Sequence, residues 1–216
     1  MTVALQRLMA FLSPAFPVGG FAWSAGLETA IAEGSVSDGA TTGQWLEGLL
    51  HHGSFKTDAI LLCEAHRHNA DPFYLGELSE LCLALTVASE RQAELLQMGD
   101  AFVKAAGVWP VPIELPSQAP YPIAVGAIAA AHGIGVAEAA LAFLTAQVQA
   151  QISVAVRLVP IGQNAGLRAL VALEPAIADL ANFCSTATLK DLGTIGYAAD
   201  IAQMRHDTLP TRIFRS

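Results

Sequence analysis

Charge is scarce in this chain. Charged residues fill 14% of its 216 positions, against about 25% in an average soluble domain. Basic residues are the scarcer sign, eleven against nineteen acidic, for a net charge of −8. A nucleic-acid binder carries a basic stripe, so nucleic acid is not expected as a partner. Cysteine is equally sparse. Cys63, Cys82 and Cys184 lie far apart with no CxxC, which reads as reduced thiols and a cytoplasmic setting. No basic stretch, apolar run and small-residue cleavage site opens the sequence, so no signal peptide is expected. A clean span of about 20 apolar residues is also missing. Segment 121–137 is broken by Gly126, Gly133, Gly135 and His132, and 139–156 carries Gln147, Gln149 and Gln151. No membrane span is expected. Nucleotide loops of the forms GxxxxGK[ST] and GxGxxG are absent, as are the GxSxG elbow and HExxH.

What is abundant is apolar residue, at 53%, above the roughly 45–50% of an average domain. That composition excludes intrinsic disorder. Together with the low charge it implies an apolar surface covered by something else, because solvated monomers rarely expose large apolar patches. The length suits one domain, able to bury about 70% of its unfolded surface.

The periodicity is helical. Asp71-Pro72 is an N-cap with proline at the first helical position, followed by Tyr74, Leu78, Leu81 and Leu85 on one face. Thr41-x-x-Gln44 reads as a capping box, with Gly53 as the stop. A helix from about Ser89 carries Leu95, Met98 and Phe102 on one face and ends near Gly107. Residues 136–159 hold charge only at Glu138 and Arg157, the pattern of a central bundle helix. Ile152, Val154, Val156 and Leu158 alternate as in a strand, but no second strand exists to pair with them, so this stretch reads as helix. Five prolines between Pro110 and Pro122 mark an extended loop. The expected fold is all-α: a single-domain multi-helix bundle over 1–204, with a Pro-rich loop at 109–122 and an irregular tail at 205–216. That tail holds three of the eleven basic residues and one acidic residue. It carries +2 on a chain otherwise at −10. It also carries Ile213 and Phe214, and it is expected to be a partner-docking element with Phe214 as its apolar anchor.

Catalytic constellations are not assembled by this sequence. Cys63 and His66 lie three apart on one helix face with His68 near, the weak outline of a soft-metal site; a buried thiol beside a surface histidine explains the same spacing. His206, between Arg205 and Asp207, reads as a contact residue. Glu90 and Glu94 pair at i, i+4 and read as a solvated face. Gln147, Gln151 and Arg157 are the polar residues a bundle-core pocket would need.

The most informative stretch is SPAFPVGGFAWSAGLE, Ser13 to Glu28. Two prolines and two glycines fix a turn between a short helix at about 4–12 and a second helix from about Phe21, which would place Gly26 inside that helix. This stretch resembles the signature of the urease accessory protein UreF family, usually SPALPVGGFSYSQGLE. The resemblance runs the length of the chain. Thr57-Asp58 matches a TD pair, and Gln97-Met98-Gly99 a Q-x-G. Tyr121 to Gly126 resembles an H-x-P-V-x-x-G stretch, and Arg157 to Gln163 resembles RLGPLGQ. Asp200 to Asp207 and Thr211 to Ser216 resemble the closing DIASMRHE and TRLFRS. Ala22-Trp23 stands where the family usually has Ser-Tyr, and Ala25 where Gln is frequent.

The resemblance implies an all-α, dimeric, non-enzymatic protein that joins UreD and the GTPase UreG on the urease apoprotein and supports nickel insertion, holding no stable cofactor itself. Partner contacts are then expected at Pro17, Gly19, Gly20, Phe21, Ser24, Gly26 and Glu28 in the signature, and at Arg205, His206, Arg212, Phe214 and Arg215 in the tail. The rival expectations are a chain that binds nickel itself through Cys63, His66 and His206, and an α-helical enzyme with a core pocket.

Overall fold

A computed structural model describes residues 2–193 and 195–216. Among the described residues there are ten α-helices and no strand. In chain order they are α1 (Thr2–Phe11), α2 (Leu27–Ala32), α3 (Gly39–His52), α4 (Ser54–Arg67), α5 (Pro72–Ala84), α6 (Ser89–Ala106), α7 (Tyr121–Ala131), α8 (Val136–Leu158), α9 (Gln163–Thr186) and α10 (Tyr197–Arg205).

Local chemistry sets most boundaries. Asp71 caps α5 by accepting the Tyr74 N–H at 3.0 Å, with Pro72 in the first turn. Gly53 ends α3 and opens α4. α6 stops at Gly107. Residues 152–158 are helical, as the missing second strand requires. The start of α3 differs from expectation. Its N-cap is Asp38, whose carboxylate accepts the Thr41 N–H at 2.8 Å, and the Thr41 hydroxyl turns back to the Asp38 N–H. Thr41 is thus the third helical residue of the box rather than its cap, because aspartate accepts from the backbone as well as threonine does.

The centre of the bundle also differs. It is α7, buried continuously from Tyr121 to Ala129, packed on α4 and α6. α8 is long and apolar enough to cross a membrane, yet half of that stretch is buried inside the protein, and it runs along α9 with an outer face exposed. Small residues let the central helices touch. A Cβ on Gly126 would lie 2.1 Å from the Leu62 carbonyl of α4, and one on Gly99 would lie 2.0 Å from the Ala119 carbonyl. Both glycines fall in stretches that carry the family resemblance. The main core runs through α3, α4, α7, α8 and α9. A smaller cluster joins Leu27, Ala30, Val36, Val154, Ala155 and Val159 to Phe214 of the tail.

Candidate functional site: the junction of signature and tail

The signature does not continue as a helix from Phe21. Gly20–Ala22 makes one 3-10 turn, entered through Gly19 at φ +75°. Trp23 is extended, Ala25 has φ +49°, and Gly26 has φ +83° as the N-cap of α2. Gly26 therefore stands before the helix, not inside it. Two left-handed residues in succession need a small first side chain and no second one. Gly26 has a further reason. A Cβ there would meet the backbone N and the Cγ of Gln203, each at 2.9 Å. The bare glycine is what lets α10 seat against the start of α2.

This turn aims Glu28 at the tail. Glu28 Oε1 accepts the Ile213 N–H at 2.7 Å, and Oε2 accepts the Phe214 N–H at 3.0 Å. His206 Nε2 lies 2.9 Å from the same Oε2, and His206 Nδ1 lies 2.7 Å from Glu90 Oε2 on α6. The ring is fully buried between the two carboxylates. Both contacts are hydrogen bonds when each ring nitrogen carries its proton. Arg212 donates to the other oxygen of Glu90 at 2.8 Å. Further along, the tail pairs with the signature as a short extended ladder. Arg215 N–H donates to the Ala22 carbonyl at 2.8 Å, and Ser24 N–H to the Ser216 carbonyl at 3.0 Å. The Ser24 hydroxyl also bonds that carbonyl.

Ser216 links this ladder to a buried ion cluster. Its hydroxyl donates to Glu94 Oε2 at 3.0 Å. Glu94 bonds Arg91, and Arg91 donates to Asp58 Oδ2 of α4 at 2.7 Å. Arg91, Asp58 and Glu94 are all buried. Burial pushes the Asp58 and Glu94 carboxyls above their ordinary range, although Arg91 pulls both the other way. Burial works to lower Arg91, and the two carboxylates outweigh it, so its proton is held more tightly than usual. Aromatic contacts close the site. The Arg157 guanidinium lies 4.4 Å over the Phe214 ring, and that of Arg215 lies 4.7 Å over Trp23.

The expected contact residues fall into two sets. Pro17, Gly19, Phe21, Arg205, Arg212 and Arg215 are exposed, and Gly20 is half-buried. Ser24, Gly26, Glu28, His206 and Phe214 are buried against this chain's own atoms. The expectation of a tail anchored outward by Phe214 is corrected here. At 4% exposure its ring completes the α2–α8 cluster, because an apolar ring gains more from a formed core than from water. Glu90 and Glu94 are likewise no solvated face, since both point into the junction. Arg91 and Ser216 also belong to the site: the run Ser89-Glu90-Arg91 in an otherwise charge-poor chain marks Arg91, and only the fold brings Ser216 to Glu94.

The metal candidates do not converge. Cys63 is buried in the main core, where burial pushes its thiol up to about 12. His66 Nε2 lies 2.7 Å from the Ile134 carbonyl. His206 has both nitrogens engaged by carboxylates. Among the described residues no three His, Cys, Asp or Glu side chains are grouped to hold an ion. A groove of about 410 Å³ lies between the signature turn, α8 and α9, lined by Phe16, Phe21, Gln147, Ser153, Leu167 and Leu170 among others. Its ionisable lining residues are Tyr121 and Arg157.

Fold and site together define an all-α protein whose signature turn and closing segment are bound together by a buried polar site. Residues 36–174 match the UreF family model. The urease accessory protein UreF of Rhizobium etli is 46% identical over 215 residues, covering 99% of this chain and 96% of the relative. Those of Agrobacterium fabrum and Mesorhizobium japonicum are 47% and 43% identical, with 96% and 97% of each relative covered. The chain belongs to the UreF family of urease accessory proteins.

Proposed function

We propose that the chain is a cytoplasmic, non-enzymatic scaffold of urease maturation. It joins UreD and the GTPase UreG on the urease apoprotein and supports GTP-dependent nickel insertion as a homodimer. The observation that carries this reading is the outer face of α10. Tyr197, Ile201 and Met204 recur at i, i+4 and i+7 and are 70%, 42% and 49% exposed. An apolar stripe at that spacing is the form in which a helix docks into a partner's groove. Arg205 follows the stripe, and Arg212 and Arg215 extend its positive charge. Planar guanidinium groups suit the carboxylates and carbonyls of an interface. The buried junction holds this face from beneath, which lowers the ordering cost of binding.

The groove beside the signature turn supports the other two parts of the reading. Its lining holds no carboxylate, histidine or cysteine to serve as nucleophile or base. Exposed Leu167 and Val171 on α9 extend its apolar surface, which suits a second copy. Nickel is handled by the assembled complex, because Cys63 is enclosed in the core and His66 and His206 have other partners. Co-expression with UreD tests the core of the proposal. Full-length chain captures UreD, and Ile201→Asp abolishes capture while the circular dichroism spectrum is unchanged. Capture that survives Ile201→Asp and Met204→Asp together removes the α10 face from the interface. Pure protein is expected to turn over no GTP and to retain no stoichiometric nickel in equilibrium dialysis. Light scattering at micromolar concentration is expected to give twice the chain mass.

A further inference from the structure

Glu28 is buried, ionisable and absent from the exposed docking face, and it stands at the centre of the junction that holds that face from beneath. Its two oxygens meet three groups, all from one segment: the N–H groups of Ile213 and Phe214, and the His206 ring, which donates when Nε2 carries its proton. Glu28 is therefore the one side chain through which α2 grips the tail at three points. Beyond it, the grip passes through His206 to Glu90 and from Glu90 to Arg212, an exposed member of the basic face. The other attachment, Ser216 on Ser24 and Glu94, lies at the far end of the same segment.

We propose that Glu28 is a positioning residue for partner docking: its carboxylate fixes residues 206–213 so that Arg212 and Ile213 are presented beside α10 in the arrangement the partner binds. The proposal rests on the α10-and-tail reading of the interface. Its chemistry is that of acceptor count. A carboxylate offers acceptors on both oxygens, whereas a glutamine amide turns an NH2 toward one of the two sites. At least one of the three donors then faces another donor in a buried site, which is costly enough to open the segment locally.

The test uses the full chain with Glu28→Gln. Amide exchange at Ile213 and Phe214 is expected to be roughly tenfold faster or more, while α8 keeps its protection. UreD capture should weaken by a similar factor. A double substitution, Ser24→Cys with Ser216→Cys, supplies a tether that does not use the Glu28 carboxylate, at a point where the Ser24 N–H and the Ser216 carbonyl are 3.0 Å apart. The native cysteines are all buried. Added to Glu28→Gln and oxidised, the tether should restore both protection and capture, and its reduced form should restore neither. Should Glu28→Gln unfold the chain, Glu90→Gln takes its place. It leaves both backbone bonds to Glu28 and is expected to speed exchange only over 206–212, with partial loss of capture. Unchanged exchange at 206–213 in the variant that folds overturns the proposal, as does a tether that restores protection without capture. If Ile201→Asp leaves capture intact, the docking reading fails instead, and the exchange arm still decides whether Glu28 holds the tail.

Discussion

Helices α4 and α7 meet at the centre of the molecule, and α2, α6 and the tail meet at its signature junction, by opposite means. At the centre, Gly126 brings backbone against backbone, and the neighbours are Ile60, Leu61, Ala124 and Ala127, all fully buried. None of these side chains ionises, and at this contact stability follows area and fit. At the junction, Glu28, Glu90, Glu94 and Asp58 are set against Arg91, Arg212 and His206. Fit there is a matter of donors meeting acceptors and charges meeting charges. The first region answers to a change of volume and not to pH; the second answers to both, since a Cβ on Gly26 or the loss of the Phe214 ring would disturb it as well.

Four substitutions would break or sharpen this contrast. Arg91→Met should cost most, about 4 kcal/mol at neutral pH in urea unfolding, because it strands two buried carboxylates. The loss should depend on pH. Burial raises Asp58 and Glu94 above their unfolded values, so the native state holds protons that the unfolded chain has released. Native stability therefore falls as pH climbs from the ordinary carboxylate range through those raised values. Removing Arg91 raises them further, and the deficit should shrink as the medium is acidified toward pH about 4. Equal deficits at neutral and acid pH would deny the ionic character of the junction. Phe214→Ala comes next, at about 3 kcal/mol, since it empties a core position. Deletion of 205–216 should correspondingly lower Tm, which a freely hanging tail would not do.

Gly126→Ala should cost about 2 kcal/mol, and by the same amount at every pH, since its Cβ meets the Leu62 backbone rather than a charge. A pH-dependent loss there would erase the distinction between the two regions. Met204→Asp is expected to move stability by less than about 0.5 kcal/mol, as an exposed change, while UreD capture falls in a pull-down.

Much of the helical scaffold is legible in sequence because its punctuation is local. Asp71-Pro72, Gly53 and Gly107 each act on their own turn of chain, and α5, α3 and α6 begin or end there. The errors arise where distant segments decide. Gly26 looks like a helix-interior glycine until Gln203 of α10 is brought against it. Phe214, between Arg212 and Arg215 in the basic tail, looks like an outward anchor until α2 and α8 supply a pocket. Glu90 and Glu94 follow the spacing of a solvated face, and only the fold shows that His206, Arg212 and Ser216 come to meet them. Pro175 sits inside α9 at an exposed position, where helical packing on either side overrides its usual role as a breaker. The signature and the closing motif are each conspicuous in the sequence, but that they are two halves of one site is a long-range fact, visible only when residues 24 and 216 lie side by side.

Amide exchange on the free, full-length chain tests that pairing most directly. The N–H groups of Ser24, Ile213, Phe214 and Arg215 each donate to an acceptor across the junction. All four should exchange far more slowly than in an unstructured peptide, without any partner present. Exchange of these four amides at unstructured rates, slowing only when UreD is added, would contradict an intramolecular junction and make the tail a segment that folds on its partner.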